Sequence, residues 1–258
     1  MRTYSPYFLR IAITFTALLL FCAALLPVIA EAKGSLRVTY ELPDPEDVAA
    51  ARIIHQSEVA EEVAQVVEDW SLLSQNVTLR FGTQLGPHFA VLQNGKLEIH
   101  IPYSFFKEME KLFASKKYLE QVSPTTSALN TLHHAIYHEL GHAVIYSQKT
   151  GISDAMEEEA VDTLSVILLI SVYADGADIA SSAAKAFQLL ATEPDSTVNL
   201  QNDIRRFQEI NCLVYGSNPD KYRELLNDLP VNSVEICPER FLVHHKQWEK
   251  IFNIPLPD

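Results

Sequence analysis

His138-Glu139-Leu140-Gly141-His142 lies in a run with no other charge: Ala135, Ile136 and Tyr137 precede it, and Ala143, Val144 and Ile145 follow. A helix with such flanks is apolar all round and belongs inside a folded domain. Two histidines four residues apart share one helical face, about one turn from each other. Both imidazoles can then reach a single tetrahedral cation at about 2.0–2.1 Å. Glu139 is one step round the helix, where a carboxylate faces an open coordination position as general base instead of becoming a ligand. Zinc suits this pattern, because it lowers the pKa of a bound water to about 7. Gly141 costs about 1 kcal/mol in a helix interior, which predicts another element packed closely on that face.

A metal that keeps a position open for water needs a third protein ligand. The next helical stretch reads Asp154-Ala155-Met156-Glu157-Glu158-Glu159-Ala160-Val161-Asp162. Asp154 and Glu157 have the spacing of a capping box, and Glu159 is expected to face solvent. Glu158 and Asp162 are four apart and share a face. With a tight turn between the helices, that face can oppose the histidines. Glu158 then completes the metal shell, and Asp162 accepts the free ring N–H of a liganding histidine. The bland alternative is an acidic first turn that suits the helix dipole. It accounts poorly for Asp162, which opens the otherwise apolar TLSVILLISVY.

The flanking chain predicts an α+β fold. Leu36 to Leu42 and Val77 to Gly82 read as strands. His88 to Leu92 and Leu97 to Tyr103 read as a hairpin across Asn94-Gly95. A helix from Pro45 to Leu73 separates the first two strands. The first third therefore reads as a small, mainly antiparallel sheet crossed by one helix. Helices follow almost to the end: Ser104–Leu119, Thr125–Gln148, Asp154–Tyr173, Ile179–Ala191, Leu200–Cys212, Lys221–Asp228 and Pro238–Phe252. Strands followed by helices give an α+β domain over residues 33–258, built as one body or as two lobes sharing a cleft.

The net charge of −13 is spread along the 258 residues, and such a surface repels phosphate backbones, so no nucleic-acid partner is expected. Residues 1–32 are organised differently: Arg2 and Arg10 precede a charge-free run from Ile11 to Ala30, followed by Ala30-Glu31-Ala32. This reads as a secretory signal, or as an uncleaved N-terminal anchor and the only contact with a membrane. The protein is then exported, to the periplasm or the medium. Outside that segment Cys212 and Cys237 remain, and in an oxidising compartment they are expected to pair.

HELGH with the later Glu158-x-x-x-Asp162 resembles the gluzincin metallopeptidases. More closely the chain resembles a bacterial domain-of-unknown-function family described as putative metallopeptidases. The likeness runs through the HELGHAVI helix, the EEEAVD helix, the Cys212-to-Gly216 segment and, more weakly, the Trp248 helix. It implies a zincin fold, with a helix-backed sheet whose edge strand lines the cleft and the metal helix beneath. It carries over His138, His142 and Glu158 as zinc ligands, Glu139 as base, Asp162 behind a ligand, and a peptide or protein substrate. The chain departs from metzincins, lacking their third histidine after His142, and has no GxMEN-type segment of zinc aminopeptidases. Tyr215 is the candidate oxyanion donor, against a plain core role. His88, His100, His133, His134, His244 and His245 are expected to be surface or core histidines, with His134 one turn before His138 as a possible support. Two other classes stay open: a zinc hydrolase of another envelope bond, such as a peptidoglycan cross-link, and a binding protein whose metal is a structural clip.

Overall fold

The computed structural model describes residues 33–84, 86–115, 122–192 and 200–257. The expected signal segment, residues 1–32, lies outside them.

Four strands form one sheet: β1 (Leu36–Tyr40), β2 (Val77–Gly82), β3 (His88–Val91) and β4 (Leu97–Pro102), in the order β1-β2-β4-β3. β1 runs parallel to β2, with Leu36 opposite Val77, and β2 parallel to β4, with Val77 opposite Leu97. Only β3 and β4 are antiparallel, with His88 opposite His100. The expected mainly antiparallel sheet is therefore corrected to a mixed one. Two helices between β1 and β2 provide the crossover that parallel neighbours need. The turn at Asn94-Gly95, where Gly95 has φ +77°, then folds the chain back so that β4 runs beside β2.

Those two helices replace the single expected one. They are α1 (Val48–Ser57) and α2 (Val59–Trp70), divided at Glu58, whose backbone is left-handed (φ 57°). α2 ends at a second left-handed residue, Ser71.

The helical half comprises α3 (Tyr103–Ser115), α4 (Pro124–Gln148), α5 (Asp154–Val172), α6 (Gly176–Leu190), α7 (Leu200–Ser217) and α8 (Ser233–Phe252), with a 3-10 turn at Arg223–Asp228. α4 starts with Ser123 Oγ accepting from the Thr126 N–H and Pro124 in its first turn, and ends at left-handed Lys149. α8 begins five residues before the expected Pro238 and carries that proline inside it.

α4 is the central element, packed against α2, α3, α5, α6, β3 and β4. Leu132, Ile136, Tyr137, Leu140, Ala143 and Val144 cover one broad face of it, and all are fully buried. The charge-free flanks of HELGH thus belong to a helix buried over most of its surface, whose His138 and His142 side is only half-buried. Gly141 explains how near its neighbour comes. A Cβ there would sit 2.9 Å from Val161 Cβ on α5, so a larger residue would push α5, and Glu158 with it, away from the histidines.

Cys212 and Cys237 form a disulfide joining α7 to α8, as the cysteine count suggested. Gly216, one turn after Cys212, lets the helices meet, since a Cβ would lie 2.3 Å from the Cys237 carbonyl oxygen.

Candidate metal centre

α4 and α5 form an antiparallel hairpin whose turn passes through Lys149 and Gly151, both at positive φ. This sets the acidic start of α5 across from the histidines. His138 Nε2 lies 3.7 Å from Glu158 Oε2, and His142 Nε2 lies 3.5 Å from Glu158 Oε1. One ligand atom from each of the three residues falls within a 4.8 Å cluster. Donors on a tetrahedral ion with bonds of about 2.0–2.1 Å stand roughly 3.3 Å apart. The observed spacings exceed that by a few tenths of an ångström, so small rotations of the 62% exposed Glu158 side chain suffice. Two imidazoles and one carboxylate are also a donor set that leaves a fourth position for water. The residues present fit the ion.

The outward ring nitrogens face carboxylates, which leaves both Nε2 atoms free to bind. His142 Nδ1 is 2.7 Å from Glu157 Oε1 in a hydrogen bond. His138 Nδ1 is 3.0 Å from Asp162 Oδ1, a close approach short of a straight hydrogen bond. Burial pushes the Asp162 carboxyl up, but the His138 ring and the Arg206 guanidinium outweigh it and hold it below the usual range. The pairing of Glu157 corrects the expected capping box. Ser153 is the N-cap of α5 and Asp154 its first residue, so Glu157 is left to reach His142. Glu159, expected in solvent, is half-buried.

Glu139 is 7% exposed, on the same helix and beside both histidines. Burial raises its pKa, and His138 and His142 oppose the rise. A buried carboxylate whose proton affinity is raised, standing beside both histidines, has the properties a group that accepts and returns a proton needs.

Arg206, on α7, was not found in the sequence. Its Nε donates to Asp162 Oδ2 at 3.0 Å, its Nη2 to Glu158 Oε2 at 3.0 Å, and its guanidinium lies 5.3 Å from the Phe187 ring centre. It therefore ties the face of α5 that carries Glu158 and Asp162 to α7. No short motif contains it, because its partners are 44 and 48 positions away.

An open cleft of about 500 Å³ exposes this cluster, with Pro87, His88 and Phe89 along one wall, the last two from edge strand β3. His88, expected to be a surface or core histidine, lines this cleft and stacks on His100 at 4.8 Å. Of the two roles open to Tyr215, the structure shows the core one: it is buried against the Cys212–Cys237 bridge with Leu225, Leu226 and Leu229, and it is not among the residues lining the cleft. His133 and His134 are core residues that burial keeps neutral, at pKa values of about 4 and about 3. His134 Nε2 is 3.0 Å from Ser165 Oγ on α5. His245 is also buried, against the Pro257 carbonyl.

A family profile described as "Putative metallopeptidase" matches residues 40–252. The chain belongs to that family. No curated protein and no solved structure matches it. Membership of this metallopeptidase family agrees in kind with a His, His, Glu cluster open to a cleft.

Proposed function

We propose that this chain is an exported zinc-dependent peptidase in which His138, His142 and Glu158 hold the ion and Glu139 is the general base. One observation carries the reading: two Nε2 atoms and a carboxylate converge at 3.5–3.7 Å beside a buried glutamate that is not part of the convergent set. A charged N-terminal start, the long apolar run and the small-residue triplet of residues 1–32 support export, as does a disulfide between α7 and α8.

Bound there, zinc would polarise a substrate carbonyl and lower the pKa of a water to about 7. Asp162 and Glu157 hold the two imidazole rings in the orientation that presents Nε2. Glu139 takes the proton of the attacking water at a carboxylate oxygen and passes it to the departing amine nitrogen. His88 and Arg206 are the donors along the cleft from which an oxygen gaining charge can be stabilised, the role the sequence reading gave to Tyr215.

The test is to incubate the exported protein with a broad peptide library before and after chelation, and again after one equivalent of zinc is restored. Cleavage is expected in the first and third samples only. Cleavage that survives complete chelation would rule out the metal mechanism. A zinc-loaded protein that cuts no peptide would point to another bond or to a structural metal clip.

Glu157→Gln and Asp162→Asn are each expected to weaken zinc binding by about 10- to 100-fold, as when the acceptor behind a liganding histidine is lost. Glu157 is the cleaner case, since Asp162 also pairs with Arg206, and removing its charge disturbs α7 as well. Competition against a chromophoric chelator measures both. Unchanged affinity in Glu157→Gln would mean that its contact with His142 does not serve the metal.

A further inference from the structure

α5, α7 and α8 line a further pocket, of about 340 Å³, which shares no residue with the metal-centre cleft. Arg205, Gln208, Glu209 and Cys212 form one wall, at the spacing of a single helical face of α7. Ser233, Ile236, Cys237 and Arg240 repeat that spacing on α8, so the two faces oppose each other across the Cys212–Cys237 bridge. Glu159 comes from α5, and Leu229, Pro230 and Asn232 complete the lining. The volume lies within the about 300–1,000 Å³ of small-molecule sites.

Four charged side chains face this space, two of each sign, and only one pair of them has formed. Glu209 Oε2 meets Arg240 Nη1 at 2.8 Å, while the other oxygen of that buried carboxylate accepts no hydrogen bond. Glu209 as a whole is 8% exposed. Burial raises its pKa, Arg240 opposes the rise and Glu159 adds to it, so the two carboxylates stand within electrostatic reach. Glu159 is half-buried and makes no ion pair among the described residues. Arg205 is exposed, and its contact with an acid among those residues is a 3.6 Å approach to Asp162. A metal cation here would meet two guanidiniums, and a simple anion would meet two carboxylates. A molecule carrying one charge of each sign meets neither objection.

Helix geometry also sets the length of that molecule. Arg205 and Glu209 are four residues apart on α7, about 6 Å along its axis. Two extended residues span at most about 7 Å, enough to reach both, whereas one residue spans half of that. We infer that this pocket is a second binding site, for a free dipeptide, with the ammonium end at Glu159 and Glu209 and the carboxylate end on Arg205. The site stands without the peptidase reading, because no residue of its lining belongs to the convergent donor set.

The probe is Gly-Sar, a dipeptide whose N-methylated bond resists cleavage, measured by equilibrium dialysis against the full chain. Binding is expected with a Kd below about 1 mM. The N-acetyl form, the C-terminal amide and free glycine should each bind at least about 10-fold more weakly, since each loses a charged partner or the reach between them. Glu159→Gln and Arg205→Gln, at half-buried and exposed positions that the fold tolerates, should each weaken Gly-Sar to the same degree. Hydrogen exchange locates the ligand: slowing is expected in α7 and the start of α8, and none in α4. Equal binding of free and capped forms, or an unchanged Kd in both variants, overturns the site. So does slowing confined to α4, which would put the dipeptide in the metal-centre cleft. Glycine binding as tightly as Gly-Sar overturns the dipeptide assignment.

Discussion

Glu139→Gln is expected to lower peptide turnover by at least about 100-fold while leaving the zinc content at the wild-type level. The amide is nearly isosteric and has a similar helix propensity, so α4 has no reason to change. It cannot accept the proton of the attacking water. The metal stays because the convergent donor atoms belong to His138, His142 and Glu158, and Glu139 contributes none. Stability separates this from a structural role. A buried carboxylate whose pKa is raised by desolvation stands in an environment that disfavours its charge, so the neutral amide should hold or raise the melting temperature. Turnover, metal content and melting temperature are measured on the same preparations. Equal turnover in the two proteins would sink Glu139 as the base. A fall in turnover that tracks a fall in melting temperature would make it a packing residue.

The convergence of His138, His142 and Glu158 was legible because helical spacing is a strict geometric rule. Residues four apart share a face, and Glu158 and Asp162 could be set opposite the histidines once a tight turn joined the helices. Gly141 was legible for the same reason, and the neighbour it predicted is Val161. The order of the sheet was hidden, because alternation along Leu36–Tyr40 and Val77–Gly82 reads the same for parallel and antiparallel partners. Only the crossover through α1 and α2 decides, and its break at Glu58 depends on a left-handed residue that is not glycine. Glu157 was misread because a local rule and a tertiary contact competed for it. A capping box is satisfied within one turn, whereas a contact with His142 needs the hairpin to have formed. Arg206 obeys no local rule at all. It marks where α7 crosses α5, and that crossing is set by packing against Phe187 and by tethering to α8 through Cys212 and Cys237. Tyr215, in that same tethered stretch, is turned to the bridge by the helix geometry that turns Arg206 to the cleft.

His138→Ala and His142→Ala are each expected to abolish retention of zinc through a chelating column, with the fold kept. Either change leaves one imidazole and one exposed carboxylate, and two donors cannot hold the ion against a chelator. The fold should survive because the carboxylates behind the rings keep other means of support. Asp162, deprived of His138, retains Arg206 at 3.0 Å and Arg205 at 3.6 Å. Glu157, deprived of His142, has a side chain 29% exposed and can turn to water. The cavity left by a ring opens to the cleft and can fill with water, so the cost stays below the roughly 2–5 kcal/mol of a large-to-small change in a sealed core. Circular dichroism on the metal-free proteins checks the fold, and elemental analysis checks the ion. Full zinc in both variants would place the ion elsewhere and end the metal-centre hypothesis. Loss of zinc together with loss of helical signal would make the two histidines core residues that merely happen to face one another.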